Sequence, residues 1–289
     1  MDTSESLGVR DLWTRFELVH AVSYFADESI TAAQQAGLRG FWMGYFGFRA
    51  SPLGPATALE VCDAFYNFAP SMVERAIPDA WQFASPDELL NVRAESAAGA
   101  LRRLFPAVET LAMDINGVLR EAVERPQSLS EFRLFEANRA LPPRGDLVEE
   151  LWQLCTTLRE HRGDGHVTAL RDSRIGGCEA HILFAADKGV DEAILRDNRG
   201  FSTDVWSASA TSLIERGLLD THGALTTRGH TERDTVEAKT DTLALEPWTT
   251  AAPRTVTRLV SALDAIAKAI TTEGPIPFPN PMGLPRLAL

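Results

Sequence analysis

The sequence predicts a mainly α-helical fold: an N-terminal helical region, a helix-turn-helix unit with a short β-wing, and a closing C-terminal helix. Three observations predict it. Apolar residues recur at helical spacing along most of the chain. Proline and glycine cut that pattern into pieces of helical length. Only one short piece, THGALTTRG (221–229), reads as a tight turn between extended arms.

Taken in order, LWTRFELVHAVSYFADESITAAQQAG gives two helices, the second opening after Asp27-Glu28 and stopping at Gly37. GFWMGYFGFRASPLGPA is an aromatic, glycine-rich helix that must turn at Pro52 and Pro55. ATALEVCDAFYNFAP is a short helix ended by Pro70, and SMVERAIPDAW follows it. In SPDELLNVRAESAAGALRRLF, Ser85 is the N-cap, Pro86 the first helical residue, and Asp87 and Glu88 favour the positive helix end. AVETLAMDINGVLREAVE and SLSEFRLFEANRAL are the next two helices, closed by Pro126 and by Pro142-Pro143. DLVEELWQLCTTLREHRG buries a stripe of Leu147, Leu151, Leu154 and Leu158.

GCEAHILFAADKG, STDVWSASATSLIERGLLD, the turn THGALTTRG and HTERDTVEAKTDTLALEPW then run helix, helix, short wing, helix, the order of a winged helix-turn-helix. TVTRLVSALDAIAKAITTEG is the closing helix, and PIPFPNPMGLPRLAL is a proline-rich extended arm. The units are therefore a helical region 1–145, a winged-helix unit with its leading helix 146–250, and a closing helix and arm 251–289.

Composition bounds the function. The formal net charge of -12 opposes a large nucleic-acid footprint and docking on an anionic membrane. No apolar run is long enough to span a bilayer, and the acidic start MDTSESLGVRDLW is no secretory signal, so the expected location is cytoplasmic. Cys62, Cys155 and Cys178 are odd in number and set in apolar runs, which suits reduced core thiols. The chain lacks GxGxxG after a strand, a P-loop, HExxH, paired CxxC and GxSxG. No cofactor and no metal is expected, and any catalysis would be acid–base chemistry by side chains alone.

The stretch LREHRGDGHVTAL (158–170) is the leading candidate site. Its bland reading makes Gly163 the glycine that ends a helix, lets Arg159 and Arg162 complement that end, and makes Asp164 the cap of a following helix. This leaves His161 and His166 unexplained. A histidine just inside a helix N-terminus stays neutral, so His166 suits a base, with His161 or Asp164 orienting it and Arg159 at its rim as a ligand contact. A metal site would need a further ligand such as His181, because glycines interrupt the spacing.

Arg49, among Tyr45, Phe46 and Phe48, must meet an anion. That anion is either Glu60 or Asp63 in an internal pair, or a carboxylate or phenolate of a ligand, with Tyr45 beside it. Arg75, Trp81 and Arg93 are paired structural residues or pocket residues. His20 and His181 read as satisfied core histidines, His181 also as a ligand contact; His222 and His230 read as solvated. The helix 202–216 carries Asp204 and Glu215 but only Arg216 as a cation, and the wing only Arg228, which disfavours DNA as partner.

The segment LIERGLLDTHGALTTRG resembles the winged-helix unit of MarR-like regulators. More broadly, GYFGFRASPLGPA, FYNFAP, RAIPDAW, LREHRGDGHVTAL, RGFSTDVW, KTDTLALEPW and IPFPNPMGLP resemble an actinobacterial family of MarR-like winged-helix proteins. That resemblance implies a homodimer joined through long helices such as 147–162 and 254–272. It also implies a small-molecule pocket between the winged-helix unit and those helices. The expected function is binding of an aromatic or polyketide-like metabolite, with acid–base chemistry on it as an extension. The alternatives are a ligand-responsive DNA-binding regulator and a metabolite-sequestering protein.

Overall fold

The computed structural model describes residues 3–127 and 129–278 together with Asn280, Met282 and Leu284. Fifteen α-helices form among the described residues: α1 Thr3–Phe25, α2 Asp27–Gln35, α3 Gly40–Ala50, α4 Ala58–Ala64, α5 Pro70–Glu74, α6 Ala80–Phe83, α7 Pro86–Leu104, α8 Val108–Glu124, α9 Arg133–Arg139, α10 Leu147–Asp172, α11 Gly177–Lys188, α12 Glu192–Arg199, α13 Thr203–Glu215, α14 Thr227–Ala244 and α15 Pro253–Glu273. Local chemistry explains many of their ends. Ser85 Oγ accepts the Glu88 N–H at the start of α7, and Thr57 and Glu60 form a reciprocal cap on α4. Gly37, at φ +89°, stops the chain after α2 in the left-handed region that glycine enters without steric cost.

Three apolar clusters organise the helices. The first joins α1, α7, α8, the N-terminal half of α10 and α15; the second gathers α2 to α6; the third packs the end of α10 with α11 to α14. Described parts of the C-terminal arm pack against the first cluster through Ile276, Phe278, Met282 and Leu284, while the remainder of the arm lies outside the described residues. All three cysteines are free thiols; Cys155 and Cys178 are buried and Cys62 is partly so. No helix among the described residues is long and apolar enough to cross a membrane.

α10 overturns the expected helix end at Gly163. It runs unbroken for 26 residues through Gly163-Asp164-Gly165, so neither glycine ends a helix and Asp164 begins none. Tertiary packing outweighs the roughly 1 kcal/mol that each interior glycine costs. A Cβ on Gly165 would stand 3.3 Å from Leu243 Cβ, so glycine there lets α10 approach α14 closely. Asp164 still caps, but across the fold: the Phe135 N–H at the start of α9 donates to its Oδ2 at 2.8 Å.

Helices of the same chain pack around α10, and most of its residues from Val148 to Leu170 are buried. The segment 147–162 therefore leaves little face for the subunit contact expected of it. Of its predicted stripe, Leu151, Leu154 and Leu158 are buried while Leu147 is 41% exposed at the helix start.

The β-wing is corrected too. It shrinks to one antiparallel bridge between Leu219 and Leu225, and no strand forms among the described residues. Asp220 accepts the N–H groups of His222 and Ala224, tightening the turn, and Thr226 already caps α14. Too few residues remain between turn and cap to pair. α14 accordingly starts at Thr227, and α12, absent from the sequence reading, fits between α11 and α13 with only Leu195 fully buried.

The continuity of α10 has a measurable consequence. A Cβ at Gly163 would meet nothing closer than 3.5 Å. Gly163→Ala should therefore raise stability by about 0.5–1 kcal/mol through helix propensity. A fall of similar size in the unfolding free energy from urea titration would instead place Gly163 in a left-handed helix end.

Candidate functional site

Where the three clusters meet, the helices border a cavity of about 1010 Å³ that is partly open to solvent. One wall is aromatic. Trp42 and Tyr45 of α3 contact Phe68 at ring-centre distances of 6.0 and 5.6 Å, and Tyr24 of α1 lies 4.5 Å from Tyr45. A second wall is one face of α10. Arg159, Gly163, His166 and Leu170 follow the 3.6-residue period, and all line the cavity. The third wall comes from the helix-turn-helix unit through His181 and Phe184 of α11, Ile194 and Arg199 of α12, and Arg233 and Glu237 of α14.

A buried ionic network closes the aromatic end. Arg49 grips Glu160 with both arms at 2.8 and 2.9 Å, donates to Tyr45 Oη at 3.1 Å and lies over the Phe65 ring. Arg159 donates to Glu160 Oε2, the oxygen it shares with Arg49 Nη2, at 2.7 Å and to Glu17 of α1 at 2.8 Å. Burial pushes the Glu160 carboxyl up, but Arg159 and Arg49 beside it reverse this and hold it far below the usual carboxylate range.

Arg49 thus has the internal partner expected of it, but not either of the expected ones. The Glu60 side chain is spent on capping Thr57, and Asp63 binds Arg133 and Arg171 at the surface. Farther along, Arg162 lies over Trp13 and faces Glu237 and Asp241, each at 3.4 Å; Asp241 also takes Arg10.

His166 sits on the cavity face of α10. Its Nδ1 is 3.1 Å from Thr240 Oγ1, whose own proton goes to Val236 O at 2.8 Å. Thr240 must then accept, His166 carries its proton on Nδ1, and Nε2 is left as a lone-pair acceptor. Burial first, then the Arg162 and Arg233 charges, push this histidine down to about 4 against Glu237 and Asp241, so the ring is neutral at pH 7.

The other residues singled out in the sequence divide sharply. Arg49, Tyr45, Arg159, His166 and His181 line the cavity. His181 does so with Nε2–H donated to Asn67 O at 3.0 Å, a satisfied histidine as expected. His161 and Asp164 do not line it. Along an unbroken helix five residues turn the direction by about 140°, so His161 points away from His166 and lies against the edges of Phe132 and Phe135. Asp164 faces α9, and burial, with Glu160 nearby, pushes its carboxyl up to about 8.

Trp81 donates to Ala56 O at 2.9 Å, and Arg93 is buried among Phe48 O, Asn138 and Gln153; neither lines the cavity, and Arg75 is exposed. The sequence reading missed Tyr24, Trp42, Glu160 and Arg199. Continuing the helical period through Gly163 would have placed Arg159 and His166 on one face, but nothing local marks Tyr24 or Trp42.

The outer face of α13 presents Asp204, Val205, Ser207, Ala208, Thr211 and Glu215 to solvent. Arg216 at its end is paired with Glu179 at 3.0 Å, and Arg233 with Asp187 at 3.1 Å. Among the described residues, that helix offers DNA phosphates no cation on its exposed face.

The buried histidines set a pH dependence. His161, His166 and His181 have native values of about 4, 4 and 3 against 6.5 when unfolded. Their neutral forms stabilise the fold above pH 6.5, and that stability is lost as pH falls toward 4, because the unfolded chain binds the extra protons. Asp164, raised to about 8, acts oppositely between about pH 4 and 8. The urea midpoint should climb steeply from pH 4.5 to 6.5, and His161→Phe should flatten that climb by up to about 1.4 kcal/mol per pH unit.

No curated protein and no solved structure matches this chain. A family model described as a helix-turn-helix family does match, over residues 9–277. That span holds the cavity and nearly all of its walls as well as α12 and α13, and on this match the chain belongs to the helix-turn-helix family.

Proposed function

We propose that this protein binds an organic small molecule of aromatic character in the cavity between its helical body and its helix-turn-helix unit. The observation that carries the reading is the convergence of an aromatic wall, a polar face of α10 and three helices of the helix-turn-helix unit on one space of about 1010 Å³. Clefts between structural units that combine an apolar wall with convergent polar groups are where small ligands bind, and this one carries a larger share of charged side chains than most. This is also the pocket position that the MarR-like resemblance implies. His166 Nε2 supplies an acceptor there, and on an acidic C–H or O–H of the occupant it is the group placed to act as base. Asp164 and His161, buried on other faces of α10, take no part.

A ligand-responsive DNA-binding regulator is the second reading. The observation favouring it is that α11, α12 and α14 all line the cavity, so an occupant touches the unit that carries α13. The anionic and small residues on the outer face of α13 weigh against it.

Thermal-shift screening against hydroxylated aromatic acids and ketones tests both. A ligand at 100 times its dissociation constant adds about 2.7 kcal/mol of stability. Saturable stabilisation that is lost in Gly163→Trp, a variant that fills the cavity from α10, supports the binding reading. Stabilisation by DNA alone, weakening as salt rises, would overturn it in favour of the regulator.

A further inference from the structure

The direction of the hydrogen bonds behind the aromatic wall singles out Tyr24. Tyr24 Oη lies 2.9 Å from His20 Nε2, and His20 Nδ1 lies 3.0 Å from Thr156 Oγ1. His20 and Thr156 are buried, at 2% and 1% exposure, so their protons must be placed within the protein. The Thr156 hydroxyl has His20 Nδ1 as its acceptor. Were it to accept there instead, its own proton would be buried without a partner, at a cost of about 1–3 kcal/mol. That direction leaves the unpartnered proton on Thr156, sealed off from the cavity. Donation by Thr156 leaves it on Tyr24, which is 6% exposed but lines the cavity, where an occupant can accept it. Thr156 O–H therefore donates to Nδ1, His20 is protonated on Nε2, and Nε2–H donates to the Tyr24 oxygen. The Tyr24 proton is then directed away from His20. Tyr24 lines the cavity, beside Tyr45 and near the Arg49–Glu160–Arg159 network.

We infer that Tyr24, aligned by His20 and Thr156, donates a hydrogen bond to an oxygen of the bound molecule, while His166 accepts one from its far end. This rests on the cavity reading and adds to it the polarity and length of the occupant. The donor end lies level with Thr156 and Arg159 of α10, and the acceptor end is His166. From Arg159 to His166 the helix rises about 10 Å. The occupant is thus a flat aromatic of two or three rings, with a carboxylate or carbonyl oxygen at the Tyr24 end and a hydroxyl at the His166 end. Trp42, Tyr45 and Phe68 supply the faces that would hold such rings.

Titration calorimetry with 4′-hydroxybiphenyl-4-carboxylate, biphenyl-4-carboxylate and 4-hydroxybiphenyl tests this on the full chain. The bifunctional probe should bind tightest in the wild-type protein. Tyr24→Phe should weaken both carboxylates about 5- to 30-fold and leave 4-hydroxybiphenyl unchanged. Thr156→Val, which frees His20 to accept the Tyr24 proton, should weaken the carboxylates in the same direction. His166→Phe should act only on the two probes that carry a hydroxyl.

Equal binding of all three probes, untouched by Tyr24→Phe, would overturn the inference and leave the cavity reading standing. If no probe binds in a manner sensitive to Gly163→Trp, it is the cavity reading that falls. The nitrogen-15 shifts of His20 then decide the donor chain separately: a ring protonated on Nε2 agrees with it, and one protonated on Nδ1 overturns it.

Discussion

The Glu160 carboxylate, 1% exposed and held by Arg49 and Arg159, is the interaction on which the cavity depends. A carboxylate so buried is tolerable only if its partners and hydrogen bonds are complete. Arg49 comes from α3, Glu160 and Arg159 from α10, and Glu17 from α1, so completing the set fixes three helices around one point. The aromatic wall and the polar stripe of α10 meet at that point because the ion network joins their helices. Each charge in it satisfies another, so its role is to shape and polarise the end of the cavity rather than to provide an unoccupied clamp.

α10 links this network to the helix-turn-helix unit. Its first half lies in the apolar cluster with α1, α8 and α15, and its last turns lie in the cluster with α11 to α14. Being continuous, it fixes the position of the unit relative to the body, and the cavity is the space left where the packing of these clusters does not close. Thr240 on α14 orients His166, and Thr156 on α10 orients His20 and through it Tyr24. Threonine hydroxyls therefore settle which ring nitrogens donate and which accept, Thr240 by giving its own proton to Val236 O and Thr156 by having the His20 nitrogen as its acceptor.

Much of the local structure was legible in the sequence because its signals are local. Ser85-Pro86, Gly37, Pro52 and the helix-turn-helix order act within a few residues of where they stand, and helices formed there. The wing was legible as a turn but not as a strand, since whether two extended residues pair depends on where the next cap begins. α12 escaped notice because EAILRDNR is short, charged and buries one side chain fully, so its helical pattern is weak until α11 and α13 surround it.

By itself, then, the sequence determined the helical class, most helix boundaries, the need of Arg49 for an anion, and the shortage of cations on the helix at 203–215. Tertiary structure alone decided that α10 passes through Gly163-Asp164-Gly165, because the close contact of Gly165 with α14 is visible only when both helices are in place. It also decided that Glu160 rather than Glu60 or Asp63 meets Arg49, and that His161 and His166 face different neighbours. Pairing across 111 residues, or rotation around an unbroken helix, depends on the packed arrangement of distant segments. Residue types specify what a side chain needs, and only the fold specifies which group supplies it.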